Sequence, residues 1–81
     1  MTDSRFYLSK PVEEQTYIAL KTEDPNILDI LSNSEHVTIR MAVLSNPYVS
    51  EETLMRKIDD ENSQVWSKAA EILEQRRNSG V

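Results

Sequence analysis

The stretch IRMAVLSNP at residues 39–47, followed by SEETL at residues 50–54, decides the fold class of this chain. Its apolar residues recur with the period of an α-helix. Pro47 ends that helix, because proline lacks the backbone N–H and clashes with the preceding turn. Ser50 is a favourable N-cap, and the two glutamates after it suit the positive end of a helix dipole. The stretch therefore predicts a helix, a proline-marked corner and a second helix.

Similar signals on both sides of this stretch predict three further helices. One begins at Pro11 and ends at Asp24-Pro25, the next is short and ends near Asn33, and the last occupies about residues 65–77. Sustained strand alternation is missing, so we predict an all-α fold of about five short helices. The side chains predicted to lie on buried apolar faces include Tyr17, Ile18, Leu20, Met41, Leu54, Met55 and Ile58.

The composition of the chain is that of one small globular domain. Its 81 residues are 38% apolar and 28% charged, with a single glycine, so a disordered chain is not expected. We predict one domain over residues 1–81, with fraying at residues 1–5 and 78–81.

The balance of charge favours a protein partner over nucleic acid. The formal net charge is −5, and affinity for DNA or RNA comes mainly from neutralising phosphates with cations. An anionic membrane surface is disfavoured for the same reason. We expect a partner protein with a basic surface.

The residue inventory offers no catalytic, cofactor or metal site. The chain has no cysteine and one histidine, His36, whereas zinc sites usually combine several nitrogen and sulfur ligands. The carboxylate pairs lie at expected helix starts, where capping and the helix dipole explain them. We therefore expect no enzyme activity. An apolar run long enough for a signal peptide or a membrane span is missing, so we expect a cytoplasmic location.

Residues 39–47, read as Ile-Arg-x-Ala-Val-x-x-Asn-Pro, resemble the leucine-rich repeat variant, a HEAT-like α-helical repeat. The best-matched unit is Leu31 to Ile58; a weaker unit follows to Leu73 and a partial one precedes it. The second unit departs from the pattern, with Val65-Trp66 where the first has Ile-Arg. The resemblance implies a HEAT-like stack of about two and a half units that binds proteins without catalysis. A stack this short would be a self-capped monomer or a homodimer.

A second resemblance gives the alternative. Ala42-x-x-x-Asn46, followed by Val49-Ser50-x-x-Thr53, resembles a helix-turn-helix, which would imply a small DNA-binding regulator. The turn contains the extra residues Pro47-Tyr48, and the candidate recognition helix is rich in carboxylates that repel phosphate. Nucleic acid is therefore the less favoured partner.

The candidate partner-binding residues fall into three groups. On the outer helical face we predict Arg40, Trp66 and Lys68, and at the proline corner Tyr48. The third group is an acidic corner, which is either a strip for a basic partner or a solvated helix start; its members are Asp59, Asp60 and Glu61.

Trp66 itself is either a core residue or an exposed anchor, a role in which tryptophan is over-represented at interfaces. The size of the chain and its single domain resemble accessory proteins of phages, plasmids and bacterial mobile elements. Such proteins often inhibit or adapt one host factor. We therefore expect a small acidic adaptor or inhibitor.

Overall fold

A computed structural model describes residues 4–79, and all the regular secondary structure in that range is α-helical. This confirms the all-α fold class. The six helices of the described range are α1 (Ser4–Leu8), α2 (Val12–Lys21), α3 (Pro25–Leu31), α4 (Val37–Leu44), α5 (Glu51–Lys57) and α6 (Ser63–Ser79).

Local capping explains where two of these helices begin. The Asp24 carboxylate accepts a hydrogen bond of 2.8 Å from the backbone N–H of Asn26, and Pro25 occupies the first position of α3. The Ser50 hydroxyl accepts a hydrogen bond of 3.1 Å from the N–H of Thr53 at the start of α5. Both side chains satisfy N–H groups that a helix start leaves without an internal partner. These caps confirm the predicted corners.

The first helix was not predicted from the sequence, which suggested about five helices. Residues Ser4–Leu8 form α1. The end of α1 is bound to α2 by the Gln15 side chain, which donates hydrogen bonds to the carbonyls of Leu8 and Lys10, at 3.2 and 2.6 Å. Of the two ends predicted to fray, residues 4–5 and 78–79 belong to α1 and α6. The remainder of both ends lies outside the described residues.

The helices form two layers. α4 packs between α2 and α6, while α3 packs on α1, α2 and α4, and α5 packs on α6. The first layer contains α2, α4 and α6, and the second contains α1, α3 and α5. The helices of the first layer begin at residues 12, 37 and 63, so their successive starts are 25 and 26 residues apart. The core between the layers consists mainly of Ala19, Leu28, Leu31, Ile39, Val43, Leu44, Val49, Leu54, Val65 and Ala69.

Polar contacts join α5 to α3 in the second layer. The Thr53 hydroxyl donates a hydrogen bond of 2.8 Å to the Asp29 carboxylate, which also forms an ion pair with Arg56. The Lys57 ammonium donates a hydrogen bond of 2.7 Å to the carbonyl of Ser32, the residue that follows α3. Side-chain contacts therefore join α5 both to α3 and to the residue that follows it.

The structure corrects four burial predictions. Ile18 and Met41 are half-buried, and Leu54 is buried as predicted. In α2 the buried side chains are instead Gln15 and Ala19. The four side chains predicted to be buried that are exposed are Tyr17, Leu20, Met55 and Ile58.

Candidate protein-binding surfaces

Arg40 was predicted to lie on the outer helical face, but its side chain is buried between the helices. Its side chain is 8% exposed and makes a bidentate pair with Asp60, with Nε 2.9 Å from Oδ2 and Nη2 3.1 Å from Oδ1. The remaining nitrogen, Nη1, donates a hydrogen bond of 2.9 Å to the carbonyl of Ser34. Arg40 thus connects α4 to the loop before it and to the corner between α5 and α6. The planar guanidinium suits this task because it presents several donors in a fixed fork.

Asp60 is correspondingly not part of an open acidic strip. Its side chain is 5% exposed, and Oδ1 also accepts a hydrogen bond of 2.9 Å from the backbone N–H of Asn62. Burial alone would raise the pKa of this carboxyl. The Asn62 N–H, the Arg40 hydrogen bond and the charges of Arg40 and Lys57 outweigh burial and lower the pKa below its ordinary value.

Lys57 lies at the edge of the same cluster. Its ammonium nitrogen is 3.8 Å from Asp60 Oδ2, and the side chain is 13% exposed. Burial lowers the pKa of Lys57; the charge of Asp60 opposes this effect, while Arg40 and Arg56 add to it. Two cations therefore converge on the buried carboxylate of Asp60.

The acidic corner retains two exposed members, Asp59 and Glu61. Glu61 lines a polar groove together with Arg40, Lys57 and Asp60. The cations in this groove offset part of the negative charge that the sequence places at the corner. The corner is consequently built around an internal ion pair, and only its rim faces solvent.

The lowered pKa of Asp60 predicts a specific loss of stability in acid. A carboxyl with a lowered folded-state pKa contributes stability above its unfolded pKa of about 3.9, and that stability is lost as the pH falls through the folded value. We expect the unfolding free energy of the natural chain to exceed that of Asp60→Asn at pH 7. The difference should shrink below about pH 4. Urea unfolding of both proteins between pH 7 and pH 2 measures it, and a difference independent of pH would contradict the assignment.

Trp66 lies at the surface, so of its two predicted environments, the core and the exposed surface, it occupies the second. The residue is 46% exposed and occupies the first turns of α6. Lys68, two residues later, is half-buried, with its ammonium 3.9 Å from Glu71 Oε1. The two side chains are 200° apart around the helix at about 100° per residue, so they lie on different faces. Their roles in partner binding remain predictions.

Tyr48 is exposed on a corner that is firmly held. The buried Asn46 side chain donates hydrogen bonds to the carbonyls of Ala19 and Thr22 at the end of α2, at 2.9 and 2.7 Å. Its Oδ1 accepts a hydrogen bond of 2.7 Å from the backbone N–H of Tyr48. Tyr48 is therefore fixed beside the carboxyl end of α2. We call these three hydrogen bonds of the Asn46 side chain the Asn46 clamp. The Asn-Pro pattern predicted the corner but not these hydrogen bonds.

The outer side of α2 adds two residues that the sequence analysis assigned to the core. Tyr17 and Leu20 are 64% and 48% exposed, and their spacing of three places them on one side of the helix. Glu13, four residues before Tyr17, is exposed on the same side, and Asp24 is exposed just beyond the end of α2. We call Glu13, Tyr17, Leu20, Asp24 and the adjoining Tyr48 the tyrosine face. One sequence signal could have indicated this face. Gln15 is polar but lies among the apolar residues of α2, so the apolar residues alone did not define the buried side of the helix.

Residues 4–79 contain neither a candidate metal-ligand cluster nor a membrane-spanning helix. Within this range, His, Asp and Glu side chains do not form a group of three that could hold a metal ion. His36 is exposed, with Nε2 3.7 Å from the carboxylate of Glu35. A helix long and apolar enough to cross a membrane does not occur in the described part of the chain.

Comparison with known proteins does not assign the chain to a family: family models, curated proteins and solved structures all gave no match.

Proposed function

We propose that this protein is a non-catalytic protein–protein interaction module, a small acidic adaptor or inhibitor that acts in the cytoplasm on a partner with a basic surface. We further propose that its helices are a HEAT-like stack. Size and composition suit an accessory protein of a phage or bacterial mobile element. The residues that carry the proposal are those of the tyrosine face.

The arrangement of the helices supports the HEAT-like stack. Alternate helices lie in separate layers, and the starts of α2, α4 and α6 recur at intervals of 25 and 26 residues. Each pair is covered by the next pair through both apolar packing and polar contacts such as Lys57 to Ser32. Contact with nearest neighbours only is the property of repeat arrays, which commonly present extended binding surfaces.

The single observation that carries the binding function is the exposure of Tyr17, Leu20 and Tyr48 on rigid elements. Tyrosine is enriched at protein interfaces because its ring supplies contact area and its hydroxyl a hydrogen bond. Tyr17 stands on a regular helix, and Tyr48 is held by the Asn46 clamp. A partner would therefore meet side chains whose backbone is already ordered, which reduces the entropy cost of binding.

Charge at the border of this face supports a basic partner. Glu13 is exposed on the outer side of α2, and Glu23 and Asp24 are exposed just beyond its end. Complementary charge mainly accelerates association and excludes wrong partners, while the buried aromatic contacts supply most of the affinity. The same carboxylates would repel the phosphates of DNA or RNA.

We expect the variant Tyr17→Ala/Tyr48→Ala to lose the partner that the natural chain retains in affinity capture from a cell lysate treated with nuclease. Loss of two aromatic anchors should weaken binding by about a thousandfold, since such anchors often contribute about 2 kcal/mol each. The measurement is quantitative capture followed by titration of the purified partner. Both residues are exposed, so the variant should melt like the natural chain.

The matched control is Met55→Ala, which removes an equally exposed side chain from α5, outside the tyrosine face. It should retain the partner. Equal loss of the partner in Met55→Ala and in the tyrosine variant would refute the assignment of the face. Captured DNA, or a protein released by nuclease, would instead favour the helix-turn-helix alternative.

A further inference from the structure

The last two helices present a second surface, which becomes visible when α5–α6 is compared with α3–α4. α3 and α5 begin at Pro25 and Glu51, and α4 and α6 begin at Val37 and Ser63, so both pairs are offset by 26 residues. The same offset relates four positions of one unit to four of the next. The equivalent pairs are Asp29 and Met55, Ser32 and Ile58, Arg40 and Trp66, and Leu44 and Ala70.

In the α3–α4 unit, all four positions are contacted or covered by the following helices. Asp29 binds Thr53 and Arg56, and the carbonyl of Ser32 accepts the hydrogen bond of Lys57. Arg40 pairs with Asp60, and Leu44 is only 2% exposed in the layer where α4 packs on α6. These positions therefore form a stacking surface.

In the α5–α6 unit, the equivalent positions are apolar and exposed. Met55, Ile58, Trp66 and Ala70 are all exposed, and the half-buried Leu73 extends the same surface along α6. We call these five residues the end face. A shallow groove of about 460 Å³ runs across the end face between Ile58 and Arg77.

The composition of the end face differs from that of the equivalent positions in α3 and α4. The α3–α4 unit has Asp29, Ser32 and Arg40 at the stacking positions, whereas the end face has methionine, isoleucine and tryptophan. A surface with this composition is suited to being covered by another apolar surface.

The stripe along α6 is complementary to itself when two helices run in opposite directions. Trp66, Ala70, Leu73 and Arg77 are spaced four, three and four residues apart, so they share one side of the helix. Antiparallel pairing of this stripe places Ala70 opposite Leu73 of a second copy, a small side chain against a large one. The same register places each Trp66 opposite Arg77 of the other copy, where a guanidinium over an indole ring is attractive.

The charges at the ends of α6 also favour opposite directions. Asp59 and Glu61 are exposed just before α6, and Arg77 is exposed near its carboxyl end. An antiparallel pair brings the carboxylates of each copy towards the arginine of the other. A parallel pair would instead place like charges together, which is unfavourable.

We propose that two copies of this chain associate through their end faces, with the α6 helices antiparallel about a twofold axis. Such an interface is isologous, so one patch serves both copies and the assembly closes as a dimer. The dimer leaves both tyrosine faces free and does not depend on the proposed function, because different residues form the two surfaces.

Sedimentation velocity of the full chain over a wide concentration range tests the dimer. The natural chain of 9.3 kDa should reach twice that mass, and Ala70→Glu should raise its dimer dissociation constant at least about thirtyfold. The matched control is Gln75→Glu, which adds the same charge to an exposed position of α6 outside the stripe. It should dimerise like the natural chain. Circular dichroism melting of all three checks that they are folded.

Cysteine cross-linking tests the direction of the helices, and the natural chain supplies a clean background because it contains no cysteine. A mixture of Ala70→Cys and Leu73→Cys chains should form a disulfide-linked mixed dimer. Arg77→Cys alone should not cross-link, because the antiparallel register separates the two copies of this residue by about 16 Å along the helices.

Four outcomes would overturn the proposal. The first is a chain that stays monomeric at every concentration. The second is a dimer that Ala70→Glu and Gln75→Glu affect equally, which would place the interface elsewhere. The third is efficient cross-linking of Arg77→Cys with itself, which would show a parallel pair. A different protein bound on the end face of a monomeric chain would also count against it.

Discussion

Replacing Arg40 with alanine should lower the free energy of unfolding by about 3–5 kcal/mol, because Asp60 would keep its buried charge without its main partner. The guanidinium makes three hydrogen bonds, two to Asp60 and one to the Ser34 carbonyl. Small domains are stable by only about 5–15 kcal/mol, so the variant should be close to unfolding at room temperature. Urea denaturation at pH 7, monitored by circular dichroism, measures the loss.

Arg56→Ala is the matched control, since it removes an arginine from an exposed ion pair. Arg56 and its partner Asp29 have side chains that are 51% and 42% exposed, and exposed pairs contribute about 0–1 kcal/mol. A double substitution, Arg40→Ala/Asp60→Ala, should recover part of the stability lost by Arg40→Ala, because it removes the stranded charge. Equal small losses for Arg40→Ala and Arg56→Ala would show that the Arg40 pair is not structurally important.

The features predicted correctly from sequence are those decided by residues close together in the chain. Asp24-Pro25 and Ser50 each fix a helix start through a cap to an N–H two or three residues away. Pro47 likewise prevents the continuation of α4 through its own covalent structure. Such signals need no knowledge of tertiary neighbours, so the corners and the helical class were predictable.

The environments of Arg40 and Trp66 were not predictable in the same way. They occupy equivalent positions 26 residues apart, yet Arg40 is 7% exposed and Trp66 is 46% exposed. The difference arises because α5, α6 and the Asp60 corner cover the first position, while the second lies on the end face. Which helices cover a given position depends on how the helices pack and cannot be read from the neighbouring residues in the sequence.

The side of α2 that faces the core was also decided by tertiary contacts. Gln15 is buried because the carbonyls of Leu8 and Lys10, exposed by the end of α1 and the following turn, accept its amide hydrogens. These bonds satisfy the donors of the amide, whereas its Oε1 is buried without a hydrogen-bond partner, so part of the cost of burial is not offset. Tyr17 then falls on the outer side of α2. A pattern of apolar residues predicts the opposite orientation, because it scores tyrosine above glutamine.

Asn46 should be the second position at which one substitution has a large effect. Its amide donates to the carbonyls of Ala19 and Thr22 and accepts from the N–H of Tyr48. Asn46→Ala leaves these three backbone groups without that partner, and we expect a loss of about 2–4 kcal/mol in unfolding free energy. Chemical denaturation compared with Asn33→Ala gives the measurement, because Asn33 is exposed and makes one longer hydrogen bond, 3.3 Å, to Asp29.

The same substitution links the stability of the corner to the proposed tyrosine face. Asn46→Ala releases the backbone of Tyr48, so the partner should bind more weakly even at temperatures where the variant is fully folded. Asn46→Asp is the sharper test, because it is close in size and keeps the acceptor for Tyr48 while losing both donors to α2. If Asn46→Asp were as stable as the natural chain, the two hydrogen bonds to α2 could not be what holds the corner. If it were destabilised but bound the partner normally when folded, Tyr48 would not depend on the clamp for binding.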